Sequence, residues 1–176
     1  MHILIKIVIG LLAVIVLLLI VAFFVKKDYT VERSLVINKP HQQVYDYLKF
    51  IKNQDQYSKW VMTDPTMKKT FTGTDGTVGF NYAWDGNDKA GQGDQVITKL
   101  VDGQQVDTEI HFIRPFAGTA WGTMLTKEMP NGQTEVVWRM KGKNNYPVNL
   151  MNLFIGDMLG KDIDVSLNNL KTIIEK

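Results

Sequence analysis

The spacing of apolar residues changes several times along this chain, and each change marks a structural element. From Ile7 to Val25, 19 consecutive residues carry no charge. As a helix this run is about 28 Å long, close to the hydrocarbon thickness of a bilayer. Tyr29, Val31, Leu35 and Ile37 then share one parity, with Glu32 and Ser34 on the other, which predicts a first strand interrupted in pattern by Arg33. Val44, Tyr45, Leu48 and Ile51 follow at helical spacing. Asn38 is placed to cap this helix, with Pro40 in its first turn. A second short helical piece is predicted over Gln54 to Trp60, ended by Asp64-Pro65.

From Met67 the period becomes two. Turn signals at Gly73–Gly76, Asp85–Asn87, Asp102-Gly103, Arg114–Gly118 and Pro130–Gly132 separate runs rich in Val, Thr, Ile, Met and aromatics. Val78, Phe80, Tyr82 and Trp84 make one face of the third strand. Val106, Thr108, Ile110 and Phe112 face together in the fifth, opposite Asp107, Glu109 and His111. Val136, Trp138 and Met140 face together in the seventh, against Glu135, Arg139 and Lys141. One apolar and one polar face predict an antiparallel sheet covered on one side. The sixth strand, Thr119 to Glu128, stays ambiguous: Trp121 and Leu125 share one parity, while Ala120, Gly122 and Met124 share the other. A bulge or apolar contact on both faces would account for it. From about Asn149 the period returns to 3.6, with a stripe through Leu159, Ile163, Leu167, Leu170 and Ile174 that predicts a helix of about 25 residues. Gly156 and Gly160 near its start call for close packing, a kink, or a gate over a cavity.

This gives two parts: residues 1–27 as a membrane anchor and 28–176 as one domain joined to it by a short link. The apolar run ends without a small-x-small cleavage site, so a retained anchor bearing Met1 is expected over a cleaved signal peptide. Lys26, Lys27, Arg33 and Lys39 on the domain side favour a cytoplasmic domain, while Lys6 on the tail leaves the opposite sidedness open. A net charge of +2 points to no nucleic acid and no acidic partner. The domain should fold by itself and be monomeric.

The run Val31-Glu32-Arg33-Ser34-Leu35-Val36-Ile37-Asn38-Lys39-Pro40, followed by Gln43-Val44-Tyr45-Asp46-Tyr47-Leu48, resembles the entry motif of the START-like or SRPBCC superfamily, in particular its polyketide cyclase/dehydrase-like bacterial members. Tyr57-Ser58-Lys59-Trp60, Arg114-Pro115-Phe116-Ala117-Gly118, Met151-Asn152-Leu153-Phe154 and Gly160-Lys161-Asp162 extend the likeness. Members often have a second Trp near Trp60, where this chain has Tyr57. The resemblance implies an α+β helix-grip fold, a curved seven-stranded antiparallel sheet around a long C-terminal helix, here preceded by one transmembrane helix. It also implies a deep apolar cavity for a lipid, quinone or polyketide-like ligand.

The residues themselves offer little for catalysis. The absence of cysteine removes thiol chemistry, and His2, His41 and His111 are scattered, so no metal or cofactor is expected. Ser34, Ser58 and Ser166 lie in no nucleophile turn. Gly91-Gln92-Gly93 is a strand feature, since no helix follows it. Asp107 and Glu109 could act as acid and base only if they faced inward; Arg114 could orient a polar ligand head. The aromatics and methionines carry more. Trp60, Phe80, Tyr82, Trp84, Phe112, Trp138, Met140, Met151, Phe154 and Met158 are the candidate ligand-binding residues, joined in the apolar load by Trp121 and Met124. The favoured reading is a non-catalytic, membrane-anchored binding domain for a hydrophobic small molecule. A polyketide cyclase or dehydratase, and an interaction module with a filled core, are the alternatives.

Overall fold

In a computed structural model the described residues are 2–176. Met1, and with it the expected intact N-terminus, and the side chain of His2 lie outside the described residues. The chain opens with helix α1 (His2–Phe24), of which Ile3–Phe24, 22 residues, is long and apolar enough to cross a membrane. It begins earlier than the uncharged run and takes in Lys6. Only Val25, Lys26 and Lys27 separate it from strand β1 (Asp28–Ile37).

Short helices α2 (His41–Leu48) and α3 (Gln54–Tyr57), with flanking 3₁₀ turns, lead into six further strands. These are β2 (Lys68–Thr72), β3 (Asn81–Asp85), β4 (Gln92–Val101), β5 (Gln105–Arg114), β6 (Gly118–Met129) and β7 (Gln133–Lys143). All pairings are antiparallel and the order is β1-β7-β6-β5-β4-β3-β2, a meander closed by β1 against the last strand. A 3₁₀ turn, Val148–Met151, precedes α4 (Asn152–Ile174), which packs along β1 and grips the concave face. The helix-grip architecture expected from the pattern is therefore the fold of this chain.

The apolar face forms the core. Ile37, Val44, Leu48, Ile97, Val136, Ile163, Leu167 and Leu170 are fully buried, each burial stabilising by about 1.5–3 kcal/mol. β6 resolves its ambiguity without a bulge: Ala120, Gly122, Met124 and Thr126 face inward, and Trp121 stands on the outer face. Two local expectations are corrected. Val78 is exposed in the turn before β3 and is not part of its inner face. Asn38 does not cap α2, which starts at His41 after Pro40 without a side-chain cap. Its N–H instead donates to Glu175 Oε1 at 2.7 Å, tying the end of β1 to the end of α4.

The two α4 glycines differ. A Cβ at Gly160 would strike the guanidinium of Arg33, which lies across the helix there and ion-pairs with Asp164 at 3.3 Å. Close approach explains this glycine, and also why Arg33 interrupts the strand pattern. Gly156 has nothing within 4 Å of the Cβ position. Gly156→Ala should therefore raise stability by about 0.5–1 kcal/mol through helix propensity alone. Urea unfolding followed by tryptophan fluorescence checks this; a loss of stability would reveal a packing role for Gly156.

Candidate functional site

Between the sheet and α4 lies a cavity of about 280 Å³, near the lower end of small-molecule sites. Its inner wall comes from alternate residues of neighbouring strands: Tyr82 and Trp84 of β3, Gln95 of β4, Ile110 and Phe112 of β5, Trp138 and Met140 of β7. Trp60 and Val61 line it from the segment after α3, and Leu159 from α4. Exposed Lys89, Phe112, Arg114 and Pro115 mark its mouth, whereas Tyr82, Gln95, Trp138 and Met140 are buried.

The aromatic wall is ordered by edge-to-face contacts. Trp138 meets Trp60 at 5.6 Å and 86°, and Tyr57 at 6.2 Å and 71°. The Trp84 indole donates to the Ala90 carbonyl at 3.2 Å. It lies over Gly93, where a Cβ would collide with both the indole and the His111 carbonyl. That collision is what the glycine in the Gly-Gln-Gly stretch avoids. Tyr82 donates its hydroxyl to Asp55 Oδ1 at 2.6 Å, and Lys69 pairs with the other oxygen at 2.8 Å. Burial, reinforced by Asp55, holds the Tyr82 phenol far above its ordinary range, so it is a neutral donor.

Gln95 is one of two buried polar residues on the wall, the other being Ser58. Gln95 is 8% exposed, and its Nε2 donates to no group among the described residues. A small recess behind the main cavity is lined by Gln54, Gln95, Thr108 and Trp138 among others. A buried amide without an acceptor costs about 1–3 kcal/mol, which a rotation of the Gln95 side chain toward an oxygen in the cavity would recover.

Of the residues singled out from sequence, Trp60, Tyr82, Trp84, Phe112, Trp138 and Met140 come together on the cavity wall. Phe80 is packed in the core, 1% exposed. Met151, Phe154 and Met158 are not on the wall: they are exposed on the turn before α4 and on its first turns, with Phe154 at 68% exposure. Gln54, Ser58, Met67, Ala90, Gln95, Ile110 and Leu159 complete the wall. Gln95 had a usable signal, a glutamine sharing parity with Gly93 and Ile97 on the apolar face of β4.

The remaining charged candidates belong elsewhere. Arg114 crosses the mouth, donating to Asp85, to the Gly86 carbonyl at 3.2 Å and to Gln92 at 3.2 Å. Arg139 pairs with Glu32 across β1 and β7. Asp107 accepts from Thr123 at 2.8 Å and from Gln105 at 2.7 Å. His41 contacts the Gly103 carbonyl. On the outer face His111 lies 3.1 Å from both Asp94 and Glu109. The hydrogen bond to Asp94, then that to Glu109, raises the His111 pKa. Among the described residues no cluster of His, Asp or Glu is arranged to hold a metal.

Because the folded pKa of His111 is raised, its stabilising contribution should be complete below about pH 6.5 and be lost as pH rises through the folded value. The side chain is 43% exposed, so the effect is screened and small. An NMR titration should place the His111 midpoint above about 6.5; a midpoint at or below that value would contradict the assignment.

No protein-family model matches the chain, and no curated protein matches its sequence. Solved structures do. Protein CV1439 from Chromobacterium violaceum superposes with a TM-score of 0.61 at 13% identity, over 84% of this chain and 97% of that one. Ara h 8.0201 gives a TM-score of 0.60 at 10% identity, over 84% and 97%. DynU16, of the dynemicin biosynthetic locus, gives 0.59 at 11% identity, over 84% of this chain and 47% of its own. At such identities the likeness is one of fold.

Proposed function

We propose that residues 28–176 form a START-like binding domain for an apolar small molecule bearing at least one hydrogen-bond acceptor, and that α1 spans a membrane and anchors it. The observation that carries this reading is a largely apolar cavity, walled by Trp60, Tyr82, Trp84, Ile110, Trp138 and Met140, in which the Gln95 amide is buried without a partner. Apolar walls supply affinity, and a few polar groups, Gln95 the innermost candidate, fix orientation. Tyr82, paired with Gln95 across β3 and β4, stays neutral with its one proton given to Asp55. Placing such a site on an anchored domain keeps it near a supply of membrane-soluble ligands. A cyclase or dehydratase would need an inward acid or base. Asp107, Glu109 and His111 point to the opposite face, so no reaction is proposed.

The test compares two probes on residues 28–176: a fluorescent fatty acid, which carries acceptor oxygens, and a fluorescent hydrocarbon of similar size. Both should bind saturably with stoichiometry near one. Gln95→Leu should weaken the fatty acid about tenfold, the effect of about 1.4 kcal/mol, and leave the hydrocarbon unchanged or tighter. Equal weakening of both probes would remove Gln95 from the recognition, and no saturable uptake of either would remove the binding function.

A further inference from the structure

The soluble domain does not hang loosely from α1. An α-helix leaves its last four carbonyls without intrahelical donors, and leaving them unpaired near hydrocarbon is costly. Here the Val21 carbonyl accepts from the Val25 N–H at 3.3 Å, and the Ala22 carbonyl, with those of the link residues Val25, Lys26 and Lys27, is taken by side chains from near the other end of the chain. Asn149 Nδ2 donates to the Ala22 carbonyl at 2.6 Å and the Val25 carbonyl at 2.7 Å. Asn152 Nδ2 donates to Lys26 at 2.9 Å and Lys27 at 2.8 Å. Asn144 braces this pair, its side chain donating to Asn152 Oδ1 at 2.7 Å and its backbone N–H to the Lys27 carbonyl at 2.9 Å. Asn149 and Ala22 are each 1% exposed, so the domain packs directly on the end of the helix.

The register shows what this clamp orients. Asp28 of β1 pairs with Lys143 of β7, Gly142 with Ala120 of β6, and Gly118 with Phe112 of β5. The β5–β6 loop therefore lies at the α1 end of the sheet. So does the start of α4, because α4 runs alongside β1 in the same direction, Asp164 meeting Arg33 and Lys171 meeting Val36. Both segments expose large apolar side chains there. Ile113 and Phe116 are 55% and 72% exposed; Leu153, Phe154 and Met158 are 56%, 68% and 53% exposed. They continue the apolar surface of α1, whose Phe24 is 78% exposed. Arg114, the last residue of β5, and Pro115, the first of the loop, stand at the cavity mouth.

We propose that this rim is a bilayer-docking surface: the asparagine clamp on α1 fixes the domain so that the β5–β6 loop and the first turns of α4 dip into the membrane, with the cavity mouth facing the lipid. The occupant is the bilayer that holds α1, because the rim is continuous with that helix and rigidly joined to it. Exposed Lys26, Lys27 and Lys143 lie at the level where phosphate headgroups would stand, with Asp28 and Asp157 among them. The inference rests on the reading of α1 as a membrane span and is independent of whether the cavity is occupied.

The chain contains no cysteine, so single cysteines can carry an environment-sensitive fluorophore in the full-length protein. Four positions suffice in phosphatidylcholine/phosphatidylglycerol vesicles: Val14→Cys in α1, Phe116→Cys and Phe154→Cys on the rim, and Asn131→Cys at the opposite end of the sheet. Bromine-labelled acyl chains should quench the labels at 14, 116 and 154, and aqueous iodide should quench only the label at 131. If 14 reports lipid but 116 and 154 report water, the anchor stands and the docking surface falls. If 14 also reports water, the anchor reading fails and this inference with it. Rim labels shielded from both quenchers would mean a protein cover and would equally overturn it. In Asn149→Ala/Asn152→Ala, lipid quenching at 116 should drop at least twofold while quenching at 14 and saturable fatty-acid uptake persist. Should that variant misfold, Asn152→Ala alone carries the same test, since Asn152 is only partly buried. Unchanged quenching at 116 in a folded clamp variant would remove the clamp from the orientation.

Discussion

Replacing Trp138 by alanine should destabilise the domain by about 3–5 kcal/mol, the range for removing a large buried aromatic. Trp138 is 6% exposed on β7, opposite Arg33 of β1 and Met124 of β6. It holds Trp60 and Tyr57 in edge-to-face contact, and each such pair is worth about 0.5–1.5 kcal/mol beyond the area it buries. One side of the indole borders the cavity, so part of the vacated space would join a void that already exists. The loss should therefore fall near the lower end, about 3 kcal/mol. Urea unfolding of wild type and variant measures it. A loss under about 1 kcal/mol would mean that the indole is not packed as described.

Leu159→Trp should have the largest effect on ligand uptake. Leu159 is the α4 residue on the cavity wall, half-buried, with open space in front of it. An indole there would intrude into the 280 Å³ cavity and reduce affinity for a fluorescent fatty acid about tenfold or more. Its cost in stability should stay below about 1 kcal/mol, whereas overpacking a filled core costs about 1–3 kcal/mol. Met158→Trp is the matched control. Met158 is 53% exposed on another face of α4 and should leave uptake unchanged. A Leu159→Trp protein that still binds normally, or that is strongly destabilised, would argue for a filled core and an interaction module.

The elements were legible wherever one side of the chain is buried and the other is wet. The α4 stripe Leu159, Ile163, Leu167, Leu170 and Ile174 is the buried or half-buried face of that helix, and the Val136, Trp138, Met140 face of β7 is the inner one. Parity failed where apolar residues occupy both faces. In β6, Trp121 is outward and small Ala120 and Gly122 inward, an inversion of size that only the register settles. The site was half legible for the same reason. Trp60, Tyr82, Trp84, Phe112, Trp138 and Met140 follow from strand faces or the aromatic load. Met151, Phe154 and Met158 are apolar but about 100° around the helix from the Leu159 stripe, and apolar character alone does not separate a cavity wall from an exposed surface. Gln95 escaped because its parity with Gly93 and Ile97 was outweighed by the reading of a lone polar strand residue as solvated. The Asn149 and Asn152 contacts with Ala22 through Lys27 join residues more than a hundred positions apart, which no local pattern encodes.

The reading turns on whether the cavity holds a ligand. Native mass spectrometry of residues 28–176 purified from the chain's own host, followed by organic extraction, measures this most directly. The expected result is one apolar molecule per chain carrying an oxygen acceptor, lost in Leu159→Trp and retained in Met158→Trp. A protein of bare polypeptide mass that also takes up no fatty acid saturably would contradict it.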